Sequence, residues 1–415
     1  MNDAPASRIR EFDDPSYDPF AADEINFGDH PDPYPRIAEL RAAGPVHEGS
    51  YRAMMGLPDA LMPDRKTFTI VGTDEIAQAF LDTDRFSNGG YAFNLGVTFG
   101  RSISTMDNPE HGRYRRIFQR IFLPQYVKAW GETIVDPVVH DLMDAFLPSG
   151  RADLIEQFTL RYPFEVIYRQ LDLPRADVRT FQRLAIGQTD YVNAARAIEA
   201  GEKLGDYFTG LVAERRAHPG EDLISLLALT EIDGDYLPDD VLISFLRQLM
   251  NAAGDTTYRG TSILLTALLQ HPDQFDAIRA DRTLIAQAIE EALRWDGPVA
   301  VALRMAAKDM VLGGIAIPAG SLLDVVAGAA NRDPAHWPDP DRFDILRDRK
   351  PHFSFARGPH ICVGQHLARV EMTRALHAVI DRMPGLRFDP DAAPPQIRGS
   401  MMRVPRHLHV RFEPR

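Results

Sequence analysis

From Pro109 to about Arg294, apolar residues recur three and four positions apart, with proline and glycine marking the breaks. A stretch patterned this way can hide its apolar stripes only as a body of packed helices. Its longest segment, near residues 240–270, holds roughly 30 residues and would run ~45 Å. After Pro298 the pattern changes to short β-rich pieces, "MVLGGIAIPAGSLLDVV", then to an irregular run rich in proline and aspartate, "NRDPAHWPDPDRFDILRDRKP". A last helix is expected from about Gln365 to Met383, and a last strand in "HLHVRFEP". The expected fold class is mainly α with a smaller β lobe. A single domain over residues 31–415 follows an irregular segment, residues 1–30, that wanders over the surface. The Gly-rich, aromatic stretch "FSNGGYAFNLGVTFGRS" (86–102) reads as a long mobile loop. Residues 50–67 look longer than a usual connection between first strands, and no function is assigned to them.

Composition narrows the functional class. The 415 residues carry 46 Lys plus Arg against 59 Asp plus Glu, a net charge of −13, which argues against a general nucleic-acid binder. No run of about 18 uninterrupted apolar residues exists to span a membrane, because residues 238–270 contain Asp239, Asp240, Arg247, Asp255 and Arg259. One cysteine forms no internal disulfide, and the N-terminus lacks the apolar core of a signal peptide, so a cytoplasmic protein is expected. His407 and His409 alternate in a strand pattern and read as a solvated face more readily than as a metal pair. There is no His-Glu-x-x-His, Cys-x-x-Cys, phosphate-binding loop, dinucleotide fingerprint or nucleophile elbow.

The single cysteine, Cys362, sits in "FSFARGPHICVGQHLARVE". Gly358 and Gly364 let the backbone bend tightly and lie against a flat ligand. A helical pattern starts after Gly364, and a sulfur just ahead of a helix N-terminus is favoured as thiolate, a form that can ligate iron. Phe355, Gly358, His360, Cys362 and Gly364, followed by Leu367, Ala368, Arg369 and Glu371, resemble the haem-ligand signature of the cytochrome P450 family. Ala356 departs from it, standing where the family usually carries a second glycine.

The resemblance recurs at three other places. Glu291 and Arg294 match the family's Glu-x-x-Arg, and Arg342 matches the arginine that joins that pair. Asp255 and Thr256, inside the longest helical segment, match its acid-alcohol pair beside the distal face of the haem. His111 and Arg115, with Arg304 and His360, match its donors to the haem propionates.

The resemblance implies a triangular helical body around a buried haem b with a Cys thiolate axial ligand. It further implies a monooxygenase that activates O2 with two electrons and hydroxylates, or otherwise oxidises, a small apolar substrate. No fused flavin or nicotinamide module is expected, so electrons would come from a ferredoxin with its NAD(P)H-dependent reductase. That ferredoxin would dock on Arg113, Arg116, Arg120, Arg349, Lys350 and Arg357, and a monomer is expected. Phe93, Leu95, Val97, Phe99, Val299, Val301, Met401 and Met402 are expected to line the substrate pocket. A peroxide-driven peroxygenase and a haem-binding protein without turnover are the alternatives; Asp255 and Thr256 weigh against both.

Overall fold

The computed structural model describes residues 9–58 and 65–414. Helices dominate it, and the longest, Asp239–Gln270, is 32 residues. The apolar residues of its first half join one core cluster, with Phe118, Phe164 and Phe208. Those of its second half join another, with Phe158, Ala288 and Leu376. One helix thus ties the two halves of the helical body together. Glycine inside this helix has a packing reason at Gly254, where an added Cβ would fall 2.4 Å from the Phe164 ring of helix Tyr162–Gln170.

The β lobe has its own core, containing Phe68, Phe80, Leu323 and Phe353. Its five-stranded sheet runs in the order Val46–Glu48, Thr67–Ile70, Leu322–Val325, Ala302–Ala306, Phe86–Ser87. Only the pairing of Leu322–Val325 with Thr67–Ile70 is parallel. The register sets Arg304 opposite Leu323. A separate sheet joins Arg151–Asp153 to the terminal strand His409–Arg411 and to Arg387–Phe388. Among the described residues no helix is long and apolar enough to cross a membrane.

Two expectations need correction. Residues 9–30 are not an irregular surface segment: Pro19–Phe27 is a helix, capped by the Asp18 carboxylate. Ile9, Phe12 and Phe27 are buried. Lys203 and Arg196 hold Asp13 and Asp14 by ion pairs, and the Tyr17 hydroxyl donates to Asp190. Apolar side chains at the start of a chain anchor it when they find a groove, and composition alone does not show the groove. Residues 1–8 lie outside the described residues.

The stretch 86–102 is not a long loop either. It forms strand Phe86–Ser87, a 3-10 helix Asn88–Phe93 and helix Leu95–Phe99. Local side-chain caps hold it: Ser87 Oγ accepts from Gly89 N–H, and the Asp107 carboxylate accepts from Asn88 N–H. In the 50–67 stretch, Tyr51–Met54 is a short helix capped by Ser50, and residues 59–64 lie outside the described residues.

Candidate active site

The loop before helix Gln365–Arg382 presents Cys362. Its N–H donates to the Phe355 carbonyl at 2.9 Å, closing the loop, and the Ile361 N–H donates to Gly358. Gly358 has φ +71, and a Cβ there would meet the Phe80 carbonyl oxygen at 2.4 Å, so only glycine fits. Phe355 is covered by the Arg369 guanidinium, 4.4 Å from the ring centroid, and Glu290 holds that arginine by two hydrogen bonds.

Ala356 takes φ 56, the left-handed conformation that favours glycine. The loop therefore keeps its turn and carries the strain of a Cβ, which costs roughly 1–2 kcal/mol per residue. Ala356→Gly is expected to raise stability by about 0.5–1 kcal/mol, the gain reduced by the freer unfolded chain. Denaturant midpoints at equal slope measure this, and an unchanged midpoint contradicts it.

Burial pushes the Cys362 thiol up, against the Gly364 and Gln365 N–H groups and the cations Arg115 and Arg369, which all favour thiolate. The polar groups point the right way, and desolvation opposes them.

Beside this loop lie four basic side chains. His111 and His360 stack with ring centroids 3.8 Å apart. The Asn88 amide bonds the Nδ1 of His360, and Arg115 donates to the Ile361 carbonyl at 2.6 Å. Arg304, 3% exposed, donates to its neighbour Leu303 and faces the Phe80 ring at 5.1 Å. Neither ring nitrogen of His111 finds a hydrogen-bond partner among the described residues, although the side chain is buried. Burial, with Arg115 adding, drives His111 down to about 4; burial, with His111 and the two arginines, drives His360 to about 2. The Arg115 and Arg304 guanidiniums are lowered too, chiefly by burial. Four cation formers packed together, short of anions, fit a ligand that brings carboxylates, as haem does with its two propionates.

Glu291 and Arg294 form a bidentate pair, 2.7 and 2.8 Å, at 5% and 2% exposure. Here the structure corrects the third member. Arg342 is exposed and contributes only its carbonyl oxygen, 3.3 Å from Arg294 Nη2. The guanidinium that reaches Glu291 belongs to Arg347, at 3.2 Å. In an irregular segment, side-chain direction follows from the turns, and Arg347 lies on the inner side of this one.

Opposite Cys362, the long helix supplies Thr256, whose hydroxyl donates to the Ala252 carbonyl at 2.8 Å. Asp255 is buried and pairs with Arg259, one turn on, at 2.9 Å. Arg259 is 1% exposed and also reaches both carboxylate oxygens of Asp23, at 2.9 and 2.7 Å, on the N-terminal helix. Burial raises Asp255; Arg259 opposes this without cancelling it, and the second carboxylate Asp23 adds to the rise.

A cavity of about 230 Å³ joins these parts, lined among others by Thr256, Val299, Val301, Phe355, His360 and Cys362. Two of the eight expected pocket residues, Val299 and Val301, are therefore in place. The other six are not part of this lining. Phe93 and Val97 are exposed, with the Arg65 guanidinium 4.0 Å above the Phe93 ring. Leu95 and Phe99 belong to a helix packed on Ala194–Ala217. Met401 packs on the β-lobe core, and Met402 lines a different cavity, beside Asp23 and Arg259. Apolar composition put all eight in one class, but on the two short helices of 88–99 it is Tyr91, not Phe93, Leu95, Val97 or Phe99, that faces the cavity. Sequence reasoning missed Tyr91, which lines the cavity and accepts from Leu303 N–H, and Asn88, Arg347 and Arg259. Only Arg259 left a signal, its i,i+4 spacing from Asp255.

The cytochrome P450 family model matches residues 192–407. Cytochrome P450 monooxygenase PikC of Streptomyces venezuelae is 35% identical over 86% of this chain and 85% of its own. The 6-deoxyerythronolide B hydroxylase of Saccharopolyspora erythraea is 32% identical over 92% and 97%. Among solved structures, the cytochrome P450 enzyme CxnD, for C–S bond formation in chuangxinmycin biosynthesis, superposes with TM-score 0.83 at 30% identity. The match covers 94% of this chain and 98% of that one. The fold, the cavity at the single cysteine and these relatives agree: the chain belongs to the cytochrome P450 family, the oxygen-dependent monooxygenases that carry cysteine-ligated haem b.

Proposed function

We propose that this P450 hydroxylates a small apolar organic substrate held between Thr256 and Cys362, in the cytoplasm, with two electrons from a ferredoxin and its NAD(P)H-dependent reductase. The observation that carries the reading is the single cavity wall shared by Cys362, His360, Thr256, Val299 and Val301. The N-terminal helix Pro19–Phe27 and residues 31–415 act together as one haem domain. Cys362 would hold the iron, and His111, Arg115, Arg304 and His360 would neutralise the propionates. Bound there, haem b supplies oxygen activation, which a thiolate ligand favours.

The chain's own share is positioning and exclusion of water. Val299, Val301, Leu293 and Ala302 give the substrate an apolar wall. Thr256 lines the cavity, and Asp255, the residue before it on the helix, would pass protons toward it. On the outer surface Arg116, Arg120, Arg349 and Lys350 are exposed, whereas Arg113 is paired with Asp233. The exposed four, with Arg357, suit an acidic ferredoxin.

Haem-loaded protein is to be screened for substrates by the low-spin to high-spin shift, then assayed with NADH, ferredoxin and ferredoxin reductase, and separately with peroxide alone. Turnover with the ferredoxin system supports the reading; turnover with peroxide alone replaces it with the peroxygenase. Raising ionic strength from 0.1 to 1 M shortens the screening length from about 10 to about 3 Å, so reduction by ferredoxin is expected to slow. Salt-independent reduction removes the docking patch.

A further inference from the structure

We infer that Asp153, His407 and His409 form a binding site for a divalent transition metal of the zinc class, separate from the haem site. None of the three lines the cavity at Cys362. His407 stands two residues before His409, which opens the terminal strand, and their rings lie 8° from parallel with centroids 5.3 Å apart. That spacing alone makes a pair. The tertiary fold adds a third donor from far away in sequence, because His409 is in register with Asp153 on the neighbouring strand.

Asp153 is 8% exposed and does not wander. Its Oδ1 accepts the Leu408 N–H at 2.9 Å and the Ile155 N–H at 3.0 Å, which aims Oδ2 at the Nδ1 of His407, 2.7 Å away. One ligand atom from each of the three side chains lies within 4.8 Å of the others. Zinc binds imidazole nitrogen and carboxylate oxygen at about 2.0–2.2 Å, so ligand atoms around a tetrahedral ion sit about 3.4 Å apart.

The contact between His407 and Asp153 must open by less than an ångström, and the longest separation must close by somewhat more. His407 is exposed and His409 half-exposed, so side-chain torsions suffice. The metal takes the place of the proton shared by Nδ1 and Oδ2, and the neutral imidazole carries its proton on Nε2 instead. Two imidazoles and a carboxylate leave a fourth position for water. An ion there clips the terminal strand to Arg151–Asp153.

The test uses untagged, haem-loaded protein with Zn2+ by calorimetry and Co2+ by absorption spectroscopy. Expected are one equivalent bound with micromolar affinity, a cobalt spectrum of four- or five-coordinate type, an unchanged haem spectrum, and a melting temperature that rises with zinc. His409→Ala and His407→Ala are each expected to weaken binding at least about tenfold with folding intact, since neither side chain is fully buried. Asp153→Asn is expected to weaken it as well, with circular dichroism and melting without zinc checking the caps on Leu408 and Ile155. Absence of saturable binding below about 1 mM overturns the site. So does binding that survives the double variant His407→Ala/His409→Ala.

Discussion

Glu291→Ala is expected to cost about 3–5 kcal/mol of stability and to leave the purified protein without haem. The reason is the guanidinium left behind. Arg294 is 2% exposed, and its remaining donors are committed to the carbonyls of Asn331 and Pro340 at 2.9 Å, so it cannot turn to water. An unpaired buried charge costs far more than an exposed ion pair ever contributes. The damage reaches the cysteine loop through Asn331, whose carbonyl Arg294 holds. The same residue's side chain accepts from Phe353 N–H at 2.8 Å and donates to Ser354 Oγ at 2.9 Å, and these residues open the loop that carries Cys362.

Glu291 also receives the Asp344 N–H and Arg347. Arg347→Ala should therefore destabilise measurably, while Arg342→Ala should change stability by no more than about 0.5 kcal/mol, as an exposed substitution does. Denaturant unfolding and haem content measure all three. A Glu291→Ala protein that keeps its haem and its midpoint refutes the account, as does a reversed order of the two arginines.

Asp255→Asn is expected to lower product formation about 100-fold with haem content and substrate affinity unchanged, the size of effect a lost proton-transfer group has. The smaller change Asp23→Asn tests how the acid is held. Two carboxylates share the single Arg259 guanidinium in a buried triad, and a cavity of about 190 Å³ lined by Asp23, Tyr258 and Arg259 gives water a route to its outer end. The charged and titratable groups around Asp255 are Arg259 and Tyr258 on its own helix, Asp23 on the N-terminal helix, and Tyr191.

Burial raises Asp255, and the Asp23 charge raises it further. If Asp255 must carry a proton to pass one on, turnover falls as pH rises through its pKa. Removing the Asp23 charge lowers that pKa, so the fall begins at lower pH. A pKa lower by one reduces turnover about tenfold at a fixed pH above both values. Steady-state turnover against pH, with the solvent isotope effect, reads this directly, and Asp23→Glu should restore the parent profile. A profile unmoved by Asp23→Asn would show that the N-terminal helix only packs against the acid.

How legible the site was depends on how far apart its residues lie in sequence. The cysteine loop was legible because Gly358, Cys362 and Gly364 act within one turn and one helix start, and even Ala356 keeps the left-handed turn that its position demands. Asp255 and Thr256 were legible because they break a helical pattern locally. Arg342 was misread for Arg347 because five residues of irregular chain leave side-chain direction open. Phe93, Val97 and Phe99 were misread because an apolar residue on a short helix has no sequence mark saying which neighbour it faces. The N-terminal segment went unseen because Asp13, Asp14 and Asp23 gain meaning only from Lys203, Arg196 and Arg259, nearly two hundred residues or more away.

The chain by itself determined the mainly helical body, the single thiol ahead of a helix and the acid-alcohol pair within another, since spacing inside one helix or loop sets which groups can meet. Only the tertiary structure decided that burial opposes the groups that favour a Cys362 thiolate, that Asp23 shares Arg259 with Asp255, and that Asp153 meets His407 and His409 near the chain's end. Those outcomes depend on desolvation and on contacts between distant segments, and both exist only once the core has packed.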